Sequence, residues 1–135
     1  MVNKTKTSTN KTAGRKPADF SETFDKLRAI LKKHEPKLTL KLDKPDNYSL
    51  DAAYSEKWKK VLFFASVQVR KNYVSYYLMP IYMDVELQAA ITDGLKKRMQ
   101  GKACFNFTTI EPSQIRDLAQ LTRKGFDKWK KLGWI

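Results

Sequence analysis

Apolar positions along this chain change period several times, and each change marks an element. From Asp19, whose carboxylate can cap a helix together with Glu22 three residues on, Phe24, Leu27, Ile30 and Leu31 recur at helical spacing until Pro36 ends the run. Leu38, Leu40 and Leu42 then alternate with Thr39, Lys41 and Asp43, the period of a half-buried strand, and KPDN supplies a turn. A second strand is expected over Tyr48 to Ala53. After SEKWKK comes VLFFASVQV, a long run of residues that favour strands.

That run pairs with the segment after it. With Lys71 and Asn72 as a two-residue turn, Arg70 faces Tyr73, and antiparallel pairing sets Val69 against Val74, Val67 against Tyr76, Ala65 against Leu78 and Phe63 against Pro80. These pairs make an apolar face. The alternate pairs, Gln68 with Ser75, Ser66 with Tyr77 and Phe64 with Met79, make a mixed one. A slip of one residue would bury Arg70 and Gln68, so the pattern selects this register. Asp84 then caps a middle helix carrying Leu87, Ala90 and Ile91, which Thr92 can restart through Leu95 and Met99, with Gly101 as its C-terminal cap. In KACFNF, Ala103, Phe105 and Phe107 share one face and Cys104 and Asn106 the other. The last helix opens near Pro112 and repeats Ile115, Leu118, Ala119, Thr122, Phe126 and Trp129. The order α-β-β-β-β-α-β-α predicts an α+β fold, an antiparallel sheet of about five strands with N- and C-terminal helices packed on one face.

Composition locates the domain. The 135 residues, 41% hydrophobic, suit one core. Lysines and arginines number 27 against 14 acids, a net charge of +13 that favours anionic partners and solubility. Lys4, Lys6, Lys11, Arg15 and Lys16 lie in a stretch without acids or enough apolar surface to order it. Residues 1–18 are therefore expected to be a disordered basic tail and residues 19–135 a single domain. The tail lacks the apolar centre of a secretory signal and the periodicity of a transit peptide, and no run of about 18 apolar residues occurs. One cysteine, Cys104, cannot form an internal disulfide. A cytosolic protein without a membrane partner is the expectation.

Candidate chemistry is sparse. Zinc would need more His and Cys ligands than His34 and Cys104 provide, and the few glycines form no phosphate-binding loop. His34, in the last turn of the first helix, suits the helix dipole, and Cys104 suits packing. The carboxylates of DVE and DKPD suit caps and turns. The expectation is a protein that is not an enzyme and takes no cofactor or metal. Its mixed sheet face, with Phe64, Tyr73, Tyr77, Met79 and Asn106, is the candidate surface for a protein partner or small ligand, since exposed aromatic and methionine clusters concentrate binding energy. The alternative partner is nucleic acid, held without sequence specificity by the tail and by Lys96, Lys97, Arg98, Lys102, Lys128, Lys130 and Lys131, with Arg123 and Lys124 adding charge.

Three blocks in order, VLFFASVQVRKNYVSYYLMPIY, LKKRMQGKACFNF and KGFDKWKKLGWI, give residues 20–135 a resemblance to the YdhG-like family of bacterial proteins. The resemblance implies a frataxin-like fold, a sheet backed by two helices, and, because one member is an iron chaperone, a role in iron handling. Such a role needs clustered carboxylates on the first helix and adjoining strand. Here Asp19, Glu22, Asp25, Glu35 and Asp43 alternate with Lys26, Arg28, Lys32, Lys33, Lys37, Lys41 and Lys44, and that positive charge opposes a cation.

Overall fold

A computed structural model describes residues 19–135, so the expectation of a disordered tail falls outside the described residues. The chain runs α1 (Ser21–Lys32), β1 (Thr39–Lys44), β2 (Asn47–Ser55), β3 (Lys60–Val69), β4 (Val74–Leu78), α2 (Val85–Ala89), α3 (Asp93–Lys96), β5 (Cys104–Phe107) and α4 (Pro112–Lys131), with short 3-10 turns at Glu35–Lys37 and Met79–Ile81. The strands form one sheet in sequence order, each antiparallel to its neighbour. This is an α+β fold with helices at both ends of the sequence.

Helix α1 buries Phe24, Leu27, Ile30 and Leu31, as their spacing predicts. Asp19 accepts from the Ser21 amide at 2.9 Å, although Phe20 holds the cap position. Helix α4 begins with a reciprocal cap that the sequence reading missed: Glu111 and Gln114 bond each other's backbone amides, removing two orphan donors. The middle helix is two short pieces. Asp84 caps the first by accepting from the Leu87 amide at 3.0 Å. Gly101 was expected to cap the second, but α3 ends at Lys96; with φ +80°, Gly101 instead makes the turn into β5.

The β3–β4 hairpin has the expected register from Val69↔Val74 to Ala65↔Leu78, and the Arg70 amide donates to the Tyr73 carbonyl at 2.7 Å. Beyond Ala65 the expectation fails. In the β2–β3 ladder Leu50 pairs with Ala65 and the next residue, Asp51, pairs with Phe63, leaving Phe64 as an extra residue in β3. Such a bulge turns two successive side chains to one side and reverses the alternation beyond it. Val67 and Ala65 therefore face the helices on one side of the bulge, and Phe64 and Leu62 on the other. Phe63 does not meet Pro80, because the chain leaves the sheet at Leu78 and enters the 3-10 turn. Strand β1 is more exposed than predicted: it is an edge strand, its register slips between Leu40 and Leu42, and Leu40 is exposed.

The helices lock onto one side. The Phe64 ring meets Trp129 and Phe126 edge-on, at centroid separations of 5.6 and 6.1 Å. Fully buried Tyr76 bonds Thr122 of α4 at 2.6 Å. Since the Thr122 hydroxyl donates to the Leu118 carbonyl, Tyr76 is the donor in this pair. Midway along α4, Gly125 lets the helix press on Pro80: a Cβ there would fall 2.9 Å from Pro80 Cβ. Helix propensity favours alanine over glycine by about 1 kcal/mol, whereas overpacking against a rigid ring costs about 1 to 3 kcal/mol. Gly125→Ala is thus expected to lower stability in chemical denaturation despite the better helix former. An unchanged or raised midpoint would show that α4 and the 3-10 turn separate easily.

Candidate functional site

Strand alternation assigns the other side of the sheet to Asn47 and Ser49 of β2, Phe63, Ser66 and Gln68 of β3, Ser75 and Tyr77 of β4, and Cys104 and Asn106 of β5. Tyr73, one residue before β4, shares this parity. The face is polar and knit by hydrogen bonds. Ser75 donates to Asn106 Oδ1 at 2.8 Å, the Cys104 thiol reaches the same oxygen at 3.5 Å, and Gln68 donates to Ser66 at 3.4 Å. Serine side chains are short, so Ser66 and Ser75 sit nearly buried between larger neighbours. Gln68, Tyr77 and Asn106 are half-buried, and Tyr73 is 37% exposed. The Asn47 side-chain oxygen is buried and has no hydrogen-bond partner.

The predicted set of five divides. Tyr73, Tyr77 and Asn106 lie on this face. Phe64 and Met79 do not: Phe64 has no exposed surface and packs into α4, and Met79 begins the 3-10 turn and packs against the core. The bulge is the reason for the first correction and the end of β4 for the second. Phe63 takes the place assigned to Phe64, half-buried and outside the core cluster. A double-phenylalanine sequence cannot reveal which ring turns inward when one ladder position is skipped.

Tyr77 and Cys104 are direct cross-strand partners. Burial pushes the Cys104 thiol up from its ordinary value, so it is a neutral thiol near neutral pH. The Tyr77 hydroxyl is also pushed up, chiefly by a Cys104 charge and the hydrogen bond to it, while Arg70 pulls it down. Neither group is an activated nucleophile. His34, the one candidate base, stacks on Phe126 of α4 at 4.7 Å on the helical side of the sheet, opposite the face that carries Cys104.

The basic residues also divide. Lys96, Lys97, Arg98 and Lys102 flank the outer edge of β5, where the Asn106 amide donates to the Arg98 carbonyl at 2.8 Å. Lys102 places its ammonium 5.9 Å from the Tyr82 ring centre. Lys128, Lys130 and Lys131 end α4; Lys128 is held by Asp84 at 2.9 Å and by Glu86. Of the carboxylates near α1, Glu22 pairs with Lys26, Asp43 with Arg28 and Glu35 with Lys32, and Tyr48 donates to Glu35 at 2.5 Å. Among the described residues no three His, Cys, Asp or Glu side chains converge on a point that could hold a metal ion. No described helix is long and apolar enough to cross a membrane. No protein-family model, curated protein or solved structure matches this chain.

Adjacent tyrosines should separate the two faces. Tyr76→Ala is expected to cost about 3 to 5 kcal/mol, as for a buried aromatic, and Tyr76→Phe about 1 kcal/mol for its hydrogen bond. Tyr77→Ser should stay within about 1 kcal/mol. Denaturant titration of the three variants measures this, and equal losses at Tyr76 and Tyr77 would mean that both faces are core.

His34 yields a pH dependence. Burial lowers its pKa, as Lys33 does, and Asp127 opposes the shift. The folded state therefore binds this proton less readily than the unfolded chain. The His34 contribution is intact above the unfolded pKa of about 6.5 and declines as pH falls through it. Thermal melts should show the wild type losing more stability than His34→Gln between about pH 7 and about pH 5. Parallel slopes would contradict the assignment.

Proposed function

We propose that this chain is a non-enzymatic binding module, cytosolic in setting, whose helix-free sheet face contacts a protein partner or small ligand. One observation carries the reading: Phe63, Tyr73 and Tyr77 project from a face whose intervening side chains are hydrogen-bonding groups, with no described helix packed there. Aromatic side chains provide contact area at low entropy cost, and Gln68, Asn106 and Arg70 provide orientation. The separation of His34 from Cys104 supports a role other than catalysis.

Nucleic acid is the second reading, favoured by Lys96, Lys97, Arg98 and Lys102 along the sheet edge beside Asn106. The first reading has the advantage that the other lysines proposed for phosphate contact, Lys128, Lys130 and Lys131, belong to the helical layer, where Lys128 is already paired. Membership of the YdhG-like family, with a frataxin-like arrangement, is a proposal consistent with a five-stranded antiparallel sheet backed by α1 and α4. The iron role implied by that family draws no support from the carboxylates near α1, of which Glu22, Glu35 and Asp43 are each paired with a cation.

Affinity capture with wild-type protein, Tyr77→Ser and a Lys96→Gln/Lys97→Gln/Arg98→Gln triple variant separates the readings. A partner held through the sheet face should be lost with Tyr77→Ser and survive raised salt. A partner retained by Tyr77→Ser, yet lost in salt or with the triple variant, would replace the sheet-face reading with phosphate binding, whose affinity falls steeply with ionic strength.

A further inference from the structure

Across the helical layer, away from the sheet face, a groove of about 530 Å³ lies between the end of α1 and the middle of α4. Its walls are Lys33 and His34 on one side and Arg116, Gln120 and Arg123 on the other, over a small apolar floor of Ile30 and Ala119. No acid lines it. Arg116, Arg123 and Lys33 are exposed, and no carboxylate of the described residues approaches any of them within 4.0 Å. Residues 1–18 contain no Asp or Glu that could serve instead.

The other concave or helical cationic surfaces are mixed in charge. The larger groove between α2 and α4 mixes Lys124, Lys128, Lys130 and Lys131 with Glu86 and Asp127, and Lys128 is neutralised there. Most α1 cations are likewise neutralised, Lys26 by Glu22, Arg28 by Asp43 and Lys32 by Glu35. In the α1–α4 groove, by contrast, residues 116, 120 and 123 recur at helical spacing on one face of α4, directing two guanidinium groups and an amide to the same side. Lys33 and His34 close it from α1. The negative end of the α1 dipole, about half a charge, and the Asp127 carboxylate, which acts on His34 from just outside the groove, are opposed by three full positive charges.

We propose that the α1–α4 groove binds the phosphate groups of a small, multiply phosphorylated ligand of about nucleotide size. Unpaired guanidinium groups match phosphate in charge and in their forked donor geometry, Gln120 and His34 add neutral hydrogen bonds, and the volume falls within the range of about 300 to 1,000 Å³ usual for small-molecule sites. The proposal is independent of the sheet-face reading, because its residues lie on other elements and in the other layer.

The test is titration of isotope-labelled full-length protein with tripolyphosphate and, separately, with ATP at physiological salt, followed by amide and arginine side-chain shifts. Saturable changes are expected at Lys33, His34 and residues 116–123. Arg116→Gln/Arg123→Gln should weaken binding by at least about tenfold, while Lys97→Gln/Lys131→Gln, which removes the same net charge elsewhere, should change it by less than about twofold. Both pairs are exposed, and thermal melts of the two variants check that they fold. Equal weakening by the two double variants would reduce the effect to net charge and overturn the site. So would the absence of saturation, or a single-stranded oligonucleotide binding the groove more tightly than ATP at equal phosphate concentration, since the ligand would then be a nucleic-acid backbone.

Discussion

The extra residue at Phe64 is the constraint on which the rest of the molecule turns. A strand of regular alternation would present Phe63, not Phe64, on the side of Ala65 and Val67, and the helical layer would then meet a ring one residue earlier in the chain. By skipping one ladder position the chain turns both Phe64 and Ala65 to the helical side, and the Phe64 ring fills the space against Trp129 and Phe126 of α4. The same step sends Phe63 outward. Inner packing and outer surface are therefore set by one backbone irregularity, at the cost of one unpaired residue in the ladder.

Helix α4 is fixed to this layer at three levels along its length. Trp129 meets Phe64, Gly125 meets Pro80 and Thr122 meets Tyr76. The three contacts differ in kind: aromatic packing, close backbone approach and a buried hydrogen bond. Together they fix the helix's rotation about its axis, which points Arg116, Gln120 and Arg123 away from the sheet and toward α1. The cationic groove is thus a consequence of how the core is packed. Both proposed sites depend on the same sandwich and use its two outer surfaces.

Much of this architecture is legible in the chain because periodicity reports burial directly. The apolar stripe of α1, the β3–β4 register from Val69 to Ala65 and the alternation of β5 are all predicted residue by residue. What periodicity cannot report is a change of phase within an unbroken apolar run. VLFFASVQV reads as strand-forming in either phase, so Phe63 and Phe64 exchange roles without a signal. Met79 departs from its expected face because the chain leaves β4 after Leu78, so that Met79 and Pro80 enter the 3-10 turn and add no further pair. The Arg116/Arg123 spacing was present in the sequence, but its partner wall, Lys33 and His34, comes from a segment more than eighty positions away, and only the α1–α4 packing brings the two together.

The central claim is that the sheet has one packed face and one face open to solvent, with Phe64 and Tyr76 on the first and Phe63 and Tyr77 on the second. Ring-proton relaxation in the presence of a soluble gadolinium chelate measures this directly, because the chelate broadens protons that it can approach. The account predicts strong broadening for Phe63 and Tyr77 and little for Phe64 and Tyr76. Protection of Tyr77 and Phe63 equal to that of their neighbours would contradict it, showing the second face to be covered.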